Sequence, residues 1–177
     1  RMQSLARNYR RLKGVDLLCA NYDFSKTPLK GMLAPYTIKS YGGKNIALIG
    51  VTCDPKGMIA PENVEGVVYH NAMTVADSIA DKLKKSGKAD YAVVVSHIGY
   101  TADVPELPSD SVLAATSHNI DLIIGGHSHT LINPADPNHP NYLIKNKNGK
   151  TVLVAQLGRG GKYLGKITID LDNFNKT

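Results

Sequence analysis

The sequence predicts an α/β fold with mixed sheets, in which parallel strand–helix–strand units form the middle and antiparallel hairpins flank them. Three observations predict it. Short apolar runs without alternation stand at residues 91–95 (YAVVV) and 121–126 (DLIIGG), the pattern of strands covered on both faces. Segments of helical period precede each of them, which favours parallel crossovers. Gly-Gly pairs at 42–43 and 160–161 lie between extended runs, where tight hairpin turns need positive φ.

Each element follows from its own pattern. Residues 2–13 place Met2, Leu5, Tyr9 and Leu12 on one helical face, and Gly14 follows where a C-terminal cap belongs. No Ser, Thr, Asp or Asn precedes that first turn to satisfy its free amides, so the expectation is a helix cut near its start, with protein missing before it. Its basic residues are read either as an ordinary wet face or as a surface for phosphates or membrane. Residues 15–20 (VDLLCA) read as a buried strand, and 35–41 with 45–52 as a hairpin. A helix runs from Asn71 to about Ser86 with Ala72, Ala76, Ile79 and Leu83 inward. Ser109 opens a second helix, with Val112, Leu113 and Thr116 inward, that stops near Asn119. Residues 151–158 and 163–171 read as a second hairpin around Arg159 and Lys162.

Composition removes several classes of function. The 177 residues suit one large domain or two small ones, and 42% apolar with 20% charged residues is neither a disordered tail nor a repeat. No apolar run is long enough to span a membrane. Cys19 and Cys53 are too few for a disulfide scaffold and read as structural thiols in apolar runs. A formal charge of +6 invites a polyanion. Its distribution argues otherwise: Arg1, Arg7, Arg10, Arg11 and Lys13 supply five of the 21 basic residues, and the body beyond them is almost neutral. The aromatic and basic interleaving of a nucleic-acid surface is lacking, so no nucleic-acid partner is expected.

The chemistry concentrates where two apolar strands end. YAVVV runs into Ser96-His97-Ile98-Gly99, and DLIIGG into His127-Ser128-His129-Thr130. Ligands in open α/β sheets sit beyond the carboxyl ends of parallel strands, so both clusters point to one edge. Neutral imidazoles suit zinc, manganese or iron, and an ion explains three histidines that would repel as cations. Gly99, Gly125 and Gly126 leave room for close backbone approach. His97, His127 and His129 are therefore the candidate metal ligands. His118 reads as a helix-end residue that meets free carbonyls, His139 as a surface loop residue, and His70 has no evident partner.

These motifs resemble the later part of the calcineurin-like metallophosphoesterase domain, in its 5′-nucleotidase and UDP-sugar hydrolase branch. The resemblance covers nearly the whole chain: CANYDF at 19–24, PYTIKSYGGKNIALIGVT at 35–52, SHIGY at 96–100, NIDLIIGGHSHT at 119–130 and GRGGKYLGKITIDLD at 158–172. It implies a four-layer α/β/β/α sandwich holding two divalent ions, zinc, manganese or similar. The family's SHxG histidine and the first histidine of GHSH ligate the second metal, which implies His97 and His127. The second histidine of GHSH, here His129, falls on the first metal. The implied substrate is a nucleotide or other phosphate ester, and this branch is typically exported to the periplasm or cell surface.

The family also needs an Asp-x-His motif, a bridging Asp in a GD motif, and a GNHE motif that supplies the catalytic His. None occurs here; Asn138-His139 stands in the wrong order and is flanked by proline. The expectation is that residues 1–177 are the C-terminal part of one catalytic domain, that the catalytic His lies upstream of Arg1, and that the nucleotide-recognition domain is absent. Three imidazoles without a carboxylate offset little of the charge of two ions, so this chain alone is expected to hold at most one weak metal and to be inactive. Arg159 and Lys162 are weaker candidates for a phosphate contact than for solvated loop charges. The alternative reading is a non-catalytic domain of the same fold that binds or scaffolds.

Overall fold

The computed structural model describes residues 2–101 and 107–173; Arg1, counted above among the basic residues, lies outside them. Among these residues the chain order is α1 (Met2–Tyr9), β1 (Tyr22–Asp23), β2 (Tyr36–Tyr41), β3 (Lys44–Thr52), β4 (Val68–Tyr69), α2 (Ala72–Lys85), β5 (Tyr91–His97), α3 (Asp110–Thr116), β6 (Leu122–Ile124), β7 (Leu143–Lys145) and β8 (Thr151–Ala155). One six-stranded sheet runs β2-β3-β5-β6-β8-β7, and β1 pairs with β4 in a small separate ribbon. Its four middle strands are parallel and both edge strands antiparallel, the mixed sheet that the sequence predicts.

The sequence rules that hold are local ones. β2 and β3 close on Gly42 and Gly43, with φ of 56° and 76°, the left-handed pair that a two-residue hairpin turn requires. Asn71 caps α2 by accepting from the amides of Met73 and Thr74. Ala72, Ala76, Ala80 and Leu83 are the buried residues of α2. Ser109 caps α3, whose Leu113 and Ala114 join α2 and the side chains of Ile49, Val94, Ile123 and Val154 in one core.

Several expectations fail. Residues 15–20 are not a strand; Leu18 makes one isolated bridge to Ala34 as the chain crosses β3. That crossing needs Gly50, where an added Cβ would lie 2.6 Å from Leu18 Cβ. The second hairpin is also absent: β8 takes β7 as its antiparallel partner, and residues 163–171 carry no ladder. Alternation described that segment correctly but supplied no partner strand. The first helix stops at Tyr9, and Ala6, not the expected stripe, is its buried residue; Leu5 and Leu12 are exposed. In α3 the inward residues are Asp110, Leu113 and Ala114, while Val112 and Thr116 face out.

The sheet is covered unequally. Val94, Ile123 and Val154 share a register row facing the helices. The opposite face carries Val95 and Ile124, paired in register and 44% and 43% exposed, with Leu143 at 48% near the β7 edge. The expectation that β5 is covered on both faces holds at Val93 and its partner Leu122, 6% and 3% exposed on that same face, and fails at the Val95 rung. Toward the amino end the Tyr91 hydroxyl donates to the Leu171 carbonyl.

At the amino end of the parallel strands, Lys84 of α2 reaches both oxygens of the buried Asp121 at 2.7 and 2.8 Å. Asp121 in turn accepts from the Ala92 amide at 2.8 Å. One carboxylate thus ties α2 to β5 and β6. Lys84→Met should cost about 3 kcal/mol in urea unfolding, because removing one partner leaves a buried charge without its counter-ion; a loss below about 1 kcal/mol would show that the pair is dispensable.

Candidate metal centre

The parallel register decides which histidines meet. Val95 pairs with Ile124 as the last rung between β5 and β6. Beyond that rung, the chains that carry His97 and His127 run side by side. Their imidazole centroids are 5.1 Å apart with planes at 69°. The approach depends on glycine: a Cβ on Gly126 would lie 3.1 Å from His97 Nδ1, and Gly99 holds a φ of 91°, which other residues rarely adopt.

His97 is held below the ordinary imidazole range, first by burial and then by the neighbouring His127 and His129. A neutral imidazole is the form that binds metal. His127 and His129 are the two non-glycine residues with positive φ among the described residues, at 78° and 56°. That conformation costs a side chain on the order of 1 kcal/mol or more.

The donor set fits one side of a metal site. His97 and His127 present imidazoles to a common edge, with His129 close enough to influence His97 electrostatically. Among the described residues, no group of three or more His, Cys, Asp or Glu side chains is gathered tightly enough to hold an ion. The residues present therefore suit zinc or manganese as ligands without forming a full coordination shell.

The other histidines are placed elsewhere. His118 does not meet helix carbonyls: its ring Nδ1 and its amide both contact the Asp77 carboxylate, each at 2.8 Å. Ser117 is the residue that closes the C-terminal end of α3, its amide donating to the Leu113 carbonyl. The concave surface beside that pair, about 490 Å³, includes none of the three candidate ligands. His139 contacts the Pro140 carbonyl and lies edge-on to Tyr142. Arg159 and Lys162 are exposed. Cys19 and Cys53 are half-buried free thiols, and burial pushes Cys19 up.

Two polar residues behind the loop escaped the sequence reading. Gln156 follows β8 and is 2% exposed; Asp110 opens α3 and is fully buried. Neither Asp110 oxygen has a well-aligned hydrogen-bond partner among the described residues, though the Ser96 hydroxyl is near enough to favour its charged form. Oδ2 packs so tightly on the loop that a Cβ at Gly125 would lie 2.1 Å from it. The available signal was a polar side chain at the end of the apolar run VLVA, which an inward-facing position makes costly unless it is bonded.

Burial pushes Asp110 from 3.8 to about 7, with the Ser96 hydroxyl opposing the shift. Between these values the folded chain keeps a proton that the unfolded chain releases, so this group's contribution to stability falls as pH rises from about 4 to 7 and is level above. Asp110→Asn should therefore gain on the parent by about 3 kcal/mol between pH 4.5 and 7.5, measured by urea unfolding at both. A difference independent of pH would show that the carboxyl ionises normally.

Comparison with known proteins agrees with this geometry. Residues 7–131 match the family described as Calcineurin-like phosphoesterase. An apyrase of Aedes albopictus is 30% identical over 173 residues, which cover 90% of this chain and 29% of that protein. A 5′-nucleotidase of Vibrio cholerae is 29% identical, with 89% and 30% covered. The crystal structure of a 5′-nucleotidase precursor from Thermus thermophilus superposes with a TM-score of 0.67 at 31% identity, over 87% of this chain and 29% of that one. The chain thus spans less than a third of the length of these relatives. With two strand-end histidine loops in register on a mixed sheet, and the family match running through both loops, this chain belongs to the calcineurin-like phosphoesterase family.

Proposed function

We propose that this chain is the later part of a dinuclear-metal phosphoesterase domain that hydrolyses phosphate monoesters of nucleotides, and that it is inactive by itself. The juxtaposition of His97 and His127 at the end of parallel strands carries the reading. His97 and His127 would hold the second ion and His129 the first. When bound, such ions stabilise the phosphoryl oxygens and make water a nucleophile at neutral pH.

The chain's own contribution is placement. Rigid strand ends fix His97 and His127 before any ligand arrives, which limits the entropy lost on binding. His97 is kept neutral, so a proton need not leave when a cation enters. Gly99 and Gly126 let the two loops close on one another. Among the described residues no carboxylate joins these imidazoles in a metal-binding group, and we assign the charge-compensating ligands and the leaving-group acid to another part of the domain.

The uncovered sheet face supports the same division. Val95, Ile124 and Leu143 are apolar, exposed and carried on one sheet, the kind of surface that a second sheet covers in a layered α/β/β/α domain. The domain's earlier part, with its Asp-x-His, GD and GNHE motifs, is the proposed cover. Export to the periplasm or cell surface belongs to the same reading and is supported by the relation to a protein described as a 5′-nucleotidase precursor.

With added Mn²⁺ or Zn²⁺, the 177-residue chain should bind at most one ion weakly and release no phosphate from a nucleoside monophosphate. Turnover comparable to that of a full-length relative would overturn its assignment as an inactive part. The coding sequence ahead of Arg1 gives an independent check: absence of the three motifs there would sink the enzyme reading and leave a binding or scaffold domain.

A further inference from the structure

The two left-handed histidines need something to hold them, and the surrounding bonds converge on a residue with no role so far. Gln156 is almost fully buried at the end of β8. Its side-chain Oε1 accepts from the Ser128 hydroxyl at 2.9 Å and from the Thr130 amide at 2.5 Å. Its Nε2 donates to the Gly126 carbonyl at 2.9 Å. These contacts bracket both His127 and His129. The Ser128 hydroxyl also accepts from the Tyr100 amide at 2.9 Å, three residues beyond His97. One amide side chain therefore closes the GGHSHT loop internally and, through Ser128, ties it to the SHIG loop.

We infer that Gln156 is a positioning residue, which clamps residues 126–130 in a backbone, left-handed at His127 and His129, that aims those two side chains at the edge occupied by His97. The inference rests on the proposed metal site for its purpose but on bond geometry for its content. A carboxamide suits the position because it offers an acceptor and a donor on one rigid plane. A carboxylate could not donate to the Gly126 carbonyl, and an apolar side chain would leave the Gly126 carbonyl and Thr130 amide without this partner. Bonds of this kind behind a metal ligand commonly set its affinity by about tenfold to a hundredfold.

The test compares the 177-residue chain with Gln156→Met, similar in volume and unable to make these bonds, and with Ser128→Ala, which removes the link between the two loops and one of the Gln156 bonds but leaves those to the Gly126 carbonyl and the Thr130 amide. Two readouts are needed. In the metal-free proteins, strong intraresidue amide–Hα cross-peaks report positive φ at His127 and His129. Zn²⁺ titration followed on the imidazole resonances then reports affinity. Gln156→Met should lose the cross-peaks at both histidines and bind Zn²⁺ about tenfold or more weakly, while the amide spectrum of α2 and β3 stays native. Ser128→Ala should keep the cross-peaks and weaken Zn²⁺ by a smaller factor, about threefold, through the freed SHIG loop. If Gln156→Met fails to fold, Ser128→Ala decides: unchanged Zn²⁺ affinity overturns the inference. Unaltered cross-peaks and affinity in a folded Gln156→Met overturn it directly. A parent chain that binds no Zn²⁺ sinks the metal reading instead, and the cross-peaks still decide whether Gln156 holds the loop.

Discussion

Everything at the functional edge depends on parallel pairing of β5 with β6. The register sets Val93 against Leu122 and Val95 against Ile124, so the two chains leave the sheet together. Parallel strands carry their carboxyl ends to one edge, which is why groups placed just beyond them converge without a dedicated loop to bring them in. A slip of one residue would turn every side chain of one strand to the other face. His97 and His127 would then no longer face each other, and Val94 and Ile123 would leave the core. Core packing and ligand placement are thus a single constraint.

That constraint is held from both ends. At the amino end, the Asp121 carboxylate joins Lys84 of α2 to the Ala92 amide of β5. At the carboxyl end, backbone pairing stops and side-chain bonds take over: Gln156 and Ser128 hold a loop whose backbone is unfavourable for histidine. The local cost is tolerable because the loop is tied on both sides to strands that are already fixed. Asp110 is the exception in this arrangement, a buried carboxyl packed on Gly125 with no well-aligned partner among the described residues. It lowers stability near neutral pH, a liability that a site can carry when the surrounding core is strong.

The two faces of the sheet behave differently for a physical reason. Helices α2 and α3 bury one face with small and branched residues. The other face repeats the same apolar chemistry, buried at Val93 and Leu122 and exposed at Val95 and Ile124. Residues 163–171 show the same condition in one dimension: they alternate as a strand does, yet carry no ladder, and Leu164 is 98% exposed. Strand propensity records readiness to pair with a neighbour, and cannot supply one.

What was legible in the amino-acid order was whatever neighbouring residues decide among themselves. The Gly42-Gly43 turn, the start of α2 at Asn71 and the buried runs ending in SHIG and GGHSHT follow from spacing over a few positions, and those motifs carry the resemblance to the family. Long-range choices were not legible there. The order alone could not show that Leu143–Lys145 takes the place beside β8 given to residues 163–171, or that His118 turns to Asp77. Nor could it show that Gln156, far from GGHSHT in sequence, sits behind that loop. These outcomes depend on which elements are brought side by side, and that competition is settled by burial and pairing across the whole sheet, where no local pattern records the result.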